Sequence, residues 1–157
     1  MTTLFDPNTA TPGKAPPLIM RLADDFAADW VTPETVADWS AEGGDRVVLL
    51  AGDPVRFPEG QDVAAVLPEL MSAFKGRFKV AVVARDDEDT VARKYGSQRW
   101  PTLLFFRDGG YVTALAGMQD WDVYLNGVEA ALNMPVSRAP TIGIPVVSQS
   151  GEAQGCR

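Results

Sequence analysis

The stretch VARKYGSQRWPTLLFFRDGG, Val91–Gly110, decides how this chain is built. Its opening residues carry a helix through Tyr95, and Trp100-Pro101 interrupts the backbone pattern just before an apolar run. Thr102–Phe106 is rich in residues that fit a pleated, buried surface. Asp108-Gly109-Gly110 then supplies a strong hairpin signal, and Tyr111–Ala116 supplies the second arm. A helix, an X-Pro turn and an antiparallel hairpin therefore follow one another.

Upstream, Val80–Ala84 (VAVVA) reads as a strand buried on both faces, as does Arg46–Gly52 (RVVLLAG), the candidate for the centre of the sheet. Between them Val63, Val66, Leu67, Leu70, Met71 and Phe74 recur at the helical period from Asp62 onward, with Pro68 expected to kink that helix. The acidic run Asp86-Asp87-Glu88-Asp89 precedes the helix through Tyr95, where negative charge suits the helix N-terminus, and it reads as a solvated helix start or a docking patch. Nearer the N-terminus, Thr32-Pro33 predicts a capped helix running to about Glu42 and stopped by Gly43-Gly44. Leu18–Phe26 predicts a short helix that buries Leu18, Met20, Leu22 and Phe26. Downstream, Asp120 is expected to cap a last amphipathic helix carrying Trp121, Tyr124, Leu125, Val128 and Leu132. Trp30, Trp39 and Trp121 read as core or helix-packing residues.

Both ends read as tails. Four of the 12 prolines (Pro7, Pro12, Pro16, Pro17) lie in residues 1–17, and Pro135, Pro140 and Pro145 punctuate residues 134–157. The expected organisation is an N-terminal segment 1–17, a domain 18–133 and a C-terminal tail 134–157. Apolar positions such as Ile142, Ile144, Val146 and Val147 give that tail some capacity to add to a surface or to fold on binding. Setting aside the charges of the two tails leaves 11 basic and 19 acidic residues, a net of −8 on the domain. That excess argues against nucleic acid or anionic lipid as partner and favours a basic one, although it also serves solubility.

Composition excludes several kinds of chemistry. The sequence has no histidine, so imidazole bases, His-dependent triads and the usual zinc ligand sets are absent. Its one cysteine, Cys156, has no partner for a disulfide and only Arg157 nearby to lower its pKa. No apolar run approaches the ~20 residues of a membrane span, and MTTLFDPNTATPGKAPP does not read as a secretory signal. A cytoplasmic protein without a cofactor is the expectation. Nothing in the sequence sets an oligomeric state.

The order of elements and the Val91–Gly110 stretch resemble thioredoxin, over about residues 27–133. The resemblance implies an α/β, thioredoxin-like fold: a central mixed sheet with a C-terminal antiparallel hairpin, flanked by helices. It also implies a cis bond at Trp100-Pro101, facing the site where thioredoxins work. Aligned by hand, Arg56, Phe57, Pro58 and Glu59 stand where the family carries Cys-Gly-Pro-Cys, and Leu50 stands where it carries a buried aspartate. Pro68 falls about a turn later than the family's kinking proline. Disulfide exchange needs a thiolate and a second sulfur, and this site offers neither.

A redox-dead domain of this kind is also similar to the HupG/HyaE/HoxO family of nickel-iron uptake-hydrogenase accessory proteins. The marks are the Gly-Asp-Pro-x-Arg-x-Pro-Glu run of Gly52–Glu59, the Trp100-Pro101 dipeptide and the short helix before the first strand. The resemblance implies a non-enzymatic chaperone that binds the hydrogenase small subunit precursor and its twin-arginine signal peptide before export. It names no catalytic residue. An adaptor for another client, or a monothiol redox protein using Cys156, is the alternative; monothiol enzymes keep their cysteine at the helix N-terminus, where this chain has Arg56. Candidate partner-binding residues are Asp53, Arg56, Glu59, Asp86, Asp87, Trp100 and Pro101. Arg56 and Glu59 either pair locally or leave Glu59 and Asp53 free to accept a partner's arginine. Trp100 is either core or an apolar anchor.

Overall fold

A computed structural model describes residues 15–140. Expectations about 1–14 and 141–157, Cys156 among them, fall outside the described residues. The elements run α1 (Pro17–Phe26), β1 (Asp29–Val31), α2 (Val36–Ser40), β2 (Asp45–Leu50), α3 (Glu59–Ala73), β3 (Phe78–Val83), α4 (Arg85–Lys94), β4 (Thr102–Arg107), β5 (Gly110–Ala116) and α5 (Trp121–Asn133).

The strand order is β1-β3-β2-β4-β5, with β1, β3 and β2 parallel and β4 and β5 antiparallel to their neighbours. This is the expected mixed sheet with a C-terminal hairpin. Strand β2 lies at its centre because its side chains are apolar on both faces. Val47, Leu49 and Ala51 enter one core with Leu22 of α1, Leu67 of α3 and Tyr124 of α5. Val48 and Leu50 enter the other with Trp39 of α2 and Val91 of α4. Strand β4 divides in the same way, Leu103 and Phe105 to one face, Leu104 and Phe106 to the other, as the alternation of a strand requires.

The hairpin turns at Asp108 (φ 50°) and Gly109 (φ 88°), a pair of positive φ values of the kind a two-residue I′ turn needs. Its tip is tied to the loop before β2, since Asp108 Oδ1 accepts the Gly44 N–H at 2.8 Å.

Several local expectations change. Helix α2 begins only at Val36, although Thr32 behaves as a cap: its Oγ1 accepts the Thr35 N–H at 3.2 Å across a turn of residues 33–35. In α1 the buried residues are Ile19 and Leu22 rather than Met20 and Phe26. Helix α3 starts at Glu59, and Pro68 lies buried inside it, leaving the Ala64 carbonyl without its usual helical donor. Asp120 stands at the N-cap of α5, but its side chain makes no capping bond. Trp121 is 41% exposed rather than packed; the stripe that covers the sheet starts one turn later, at Tyr124. Strand β1 carries no signal in the sequence, because three residues acquire strand geometry only by pairing with β3.

The first residues of the expected C-terminal tail lie against β5. Ser137 donates its N–H to the Tyr111 carbonyl at 2.7 Å and its hydroxyl to the Val112 carbonyl at 2.9 Å. Arg107 fastens the end of α5 by donating to the carbonyls of Ala131 (2.9 Å) and Leu132 (3.0 Å) while pairing with Asp45 at 2.8 Å.

Candidate functional site

The sheet's middle strand runs out at Leu50, and the chain must turn sharply to enter α3. Gly52 makes this possible. Its φ is 84°, and a Cβ there would meet Trp100 Cβ at 3.1 Å and Phe57 Cδ2 at 3.2 Å, so only glycine lets the turn come this close to the Trp100 loop. Asp53 then closes the turn on itself: its Oδ1 accepts the N–H of Val55 at 2.8 Å and of Arg56 at 3.1 Å, and its carbonyl accepts the Phe57 N–H at 2.8 Å. The backbone N–H of Arg56, with that of Val55, holds the Asp53 carboxyl below the usual carboxylate range.

Arg56 and Glu59 do not pair. No ion pair joins them among the described residues; both are exposed, and the Arg56 guanidinium lies 5.2 Å from the Phe57 ring centre. Glu59 sits in the first turn of α3, where the helix dipole favours it.

Opposite this turn is Trp100, half-buried, joined to buried Pro101 by a cis peptide bond. Its ring centre is 6.3 Å from that of Phe57, and the Arg85 guanidinium stands 5.4 Å from its ring centre. The Pro101 carbonyl accepts the Gly117 N–H at 2.7 Å, which brings the β5–α5 loop to the same end of the sheet. Met118 and Trp121, in and just after that loop, are 39% and 41% exposed.

Beneath lies Glu88. The four acidic residues at the start of α4 are not all solvated: Asp86 and Asp89 are exposed, but Glu88 is 3% exposed and belongs to the same helical face as buried Val91 and Ala92. Its Oε2 accepts the Ala51 N–H at 2.7 Å, and its Oε1 accepts the Gly52 N–H at 3.1 Å and Arg85 Nη1 at 3.2 Å. Burial outweighs these donors and pushes the carboxyl up to about 7. Leu50 is fully buried among apolar residues. A buried carboxylate nonetheless reaches the turn, delivered by α4 rather than by β2. Asp87, partly buried beside it, is raised above the usual carboxylate range by burial, then by Glu34 and Asp86.

Asp53, Arg56, Trp100 and Pro101 thus meet at one end of the sheet, with Asp86 and Asp87 on its flank and Glu59 behind the turn. The sequence reading put Phe57 in the turn and Glu88 in the acidic run without giving either its own role, and it missed Arg85, Met118 and Trp121 as parts of this face. Glu88 alone carried a signal, a carboxylate at a core position three and four residues before Val91 and Ala92. Where redox relatives place two thiols, this chain presents guanidinium, phenyl, pyrrolidine and carboxylate, groups that cannot exchange disulfides.

A mixed sheet with a Trp-cis-Pro loop set against the turn after its middle strand defines a thioredoxin-like protein. A thioredoxin variant from Halobacterium salinarum superposes with a TM-score of 0.55 at 24% identity, covering 67% of this chain and 90% of that one. Within that class the chain belongs to the family described as Hydrogenase-1 expression protein HyaE, whose profile matches residues 18–124. It is similar to the hydrogenase expression/formation protein HoxO of Cupriavidus necator, 51% identical over 140 residues that cover 88% of this chain and 87% of that protein. It is also similar to the hydrogenase expression/formation protein HupG of Bradyrhizobium diazoefficiens, 41% identical over 107 residues that cover 68% and 72%. No helix among the described residues is long and apolar enough to cross a membrane.

Proposed function

We propose that this chain is a non-enzymatic chaperone of hydrogenase maturation, which holds the small subunit precursor and its twin-arginine signal peptide in the cytoplasm before export. Membership of the HyaE family supports the hydrogenase part of this reading. The observation that carries the rest is Trp100, kept half-exposed beside Phe57 and Arg85 on a face without thiols. A rigid aromatic in a polar rim is a common anchor for a partner chain. In this reading Asp53, Arg56, Asp86 and Asp87 supply that rim, Glu59 adds its charge from behind the turn, and the net charge of −8 over residues 18–133 draws a basic segment toward it.

Co-purification tests the reading. Tagged protein should retain the small subunit precursor from cells that make it and lose most of it when the signal peptide is deleted. Equal retention of the mature subunit would shift the contact to the folded domain, and failure to retain either form would overturn the reading.

A further inference from the structure

A second surface lies at the far edge of the sheet. Strand β1 pairs only with β3 and ends the sheet, and among the described residues the backbone groups of Asp29, Trp30 and Val31 have no partner on the outer side. On the opposite edge Ser137 takes up the carbonyls of Tyr111 and Val112. An uncovered edge offers a row of donors and acceptors to an extended chain.

Beside β1 runs a groove of 380 Å³, walled on its other side by α2. Val31 and Trp39, both buried, lie beneath it, with Trp39 Nε1 donating to Asp29 Oδ2 at 2.8 Å and the Arg46 guanidinium 4.9 Å from a Trp39 ring centre. Asp38 of α2 and Glu42, just beyond its end, line that wall. Asp38 is exposed and has no ion-pair partner among the described residues, while Glu42 faces Arg46 at 3.5 Å. Past the end of β1, Glu34 acts on Asp87 of α4, a like charge; the cation at that end is Lys94, which donates to the Pro33 carbonyl at 3.1 Å. Strands β1 and β2 are separated by β3 alone, roughly 10 Å at two strand spacings.

We infer that the groove between β1 and α2 binds an extended segment with adjacent basic side chains, laid along β1 as an added strand. Successive side chains of a strand point to opposite faces. One cation of an adjacent pair would then meet Asp38 and Glu42, and the next would lie on the side of Trp30, whose indole face attracts a cation. A lone basic residue uses only one of these positions. The inference rests on the proposed function for the source of the segment, and it separates the groove, which reads charge, from the Trp100 face, which reads apolar side chains.

The test uses the full chain and a synthetic peptide carrying two adjacent arginines followed by an apolar run, with a second peptide in which both arginines are glutamine. Binding is followed by calorimetry and by amide chemical shifts. The arginine peptide should move the amides of Asp29–Val31 and bind the Asp38→Asn/Glu42→Gln variant about tenfold more weakly, with no change for the glutamine peptide. Asp38→Asn alone, which breaks no ion pair among the described residues, should give part of the loss and guards against a folding effect of the double change. If the double variant binds like wild type while Trp100→Ala does not, the groove inference is overturned and the proposed function stands. If wild type binds neither the arginine peptide nor the precursor, both fall. A dimer formed through β1 in the absence of peptide would also overturn the inference, because the edge would be occupied.

Discussion

The buried carboxylate of Glu88 accepts the backbone N–H of Ala51 at 2.7 Å, so the first turn of α4 is tied to the end of the middle strand. The same side chain reaches Gly52 and Arg85, and Arg85 in turn lies against Trp100. One carboxylate thereby holds both the Gly52 turn and the cation beside Trp100. Glu88→Gln keeps the shape but sets an amide N–H against one of these donors. A buried donor left without an acceptor costs about 1–3 kcal/mol. Urea unfolding of the variant at neutral pH should show a loss in that range, and an unchanged midpoint would mean that the turn stands without Glu88.

Acidity should act through the same group. The Glu88 carboxyl is raised from 4.5 to about 7 in the folded chain, so the folded state binds its proton more tightly than the unfolded state. Its contribution to stability is complete below about pH 4.5 and is lost as the pH rises through about 7. Asp87 is shifted in the same direction and is present in both proteins when wild type is compared with Glu88→Gln. Between about pH 7 and pH 5 wild type should gain stability relative to the variant. A carbon-detected titration should place the Glu88 midpoint near 7; a midpoint in the ordinary carboxylate range would contradict the assignment.

Gly60 marks the closest approach of α3 to the sheet. A Cβ at this position would lie 2.1 Å from the Ala51 carbonyl oxygen, and backbone on both sides leaves no flexible atom to give way. Gly60→Ala should therefore destabilise by about 2 kcal/mol or more despite the helix propensity it adds. Thermal unfolding decides it. A more stable variant would show that α3 can slide on β2.

The fold was largely legible in the sequence, and the candidate site only in part. Val47–Leu50, Val80–Val83 and Thr102–Phe106 are apolar on both faces and read as inner strands without reference to anything distant. Strand β1 was not legible, since Asp29-Trp30-Val31 is too short to show a period and owes its geometry to β3. Trp100 and Pro101 were found through local resemblance. Arg85 and Glu88 were hidden within an acidic run whose four members look alike in sequence; the position of each on the α4 face separates the buried one from its exposed neighbours. The expected Arg56–Glu59 pair failed because Asp53 organises the turn through backbone N–H groups and leaves Arg56 to lie on Phe57.

Loss of both thiols should be visible in a redox assay. The positions that would carry them hold Arg56 and Glu59, and Cys156 is the chain's one sulfhydryl. Purified protein should reduce insulin disulfides with dithiothreitol no faster than background, and Cys156→Ser should change nothing. Turnover that vanishes in the serine variant would turn the protein into a monothiol enzyme.

The most direct test is calorimetry of the precursor, with and without its signal peptide, against an unrelated basic peptide of equal charge. Wild type should bind the complete precursor and bind the unrelated peptide far more weakly. Trp100→Ala should weaken precursor binding at every salt concentration, by ~2 kcal/mol for a buried aromatic anchor. Asp86→Asn/Asp87→Asn, which spares the buried Glu88, should matter mainly at low ionic strength, where the Debye length exceeds ~10 Å. If the unrelated peptide binds as tightly as the precursor, and Trp100→Ala binds like wild type, the interaction is nonspecific charge attraction and the chaperone account is contradicted.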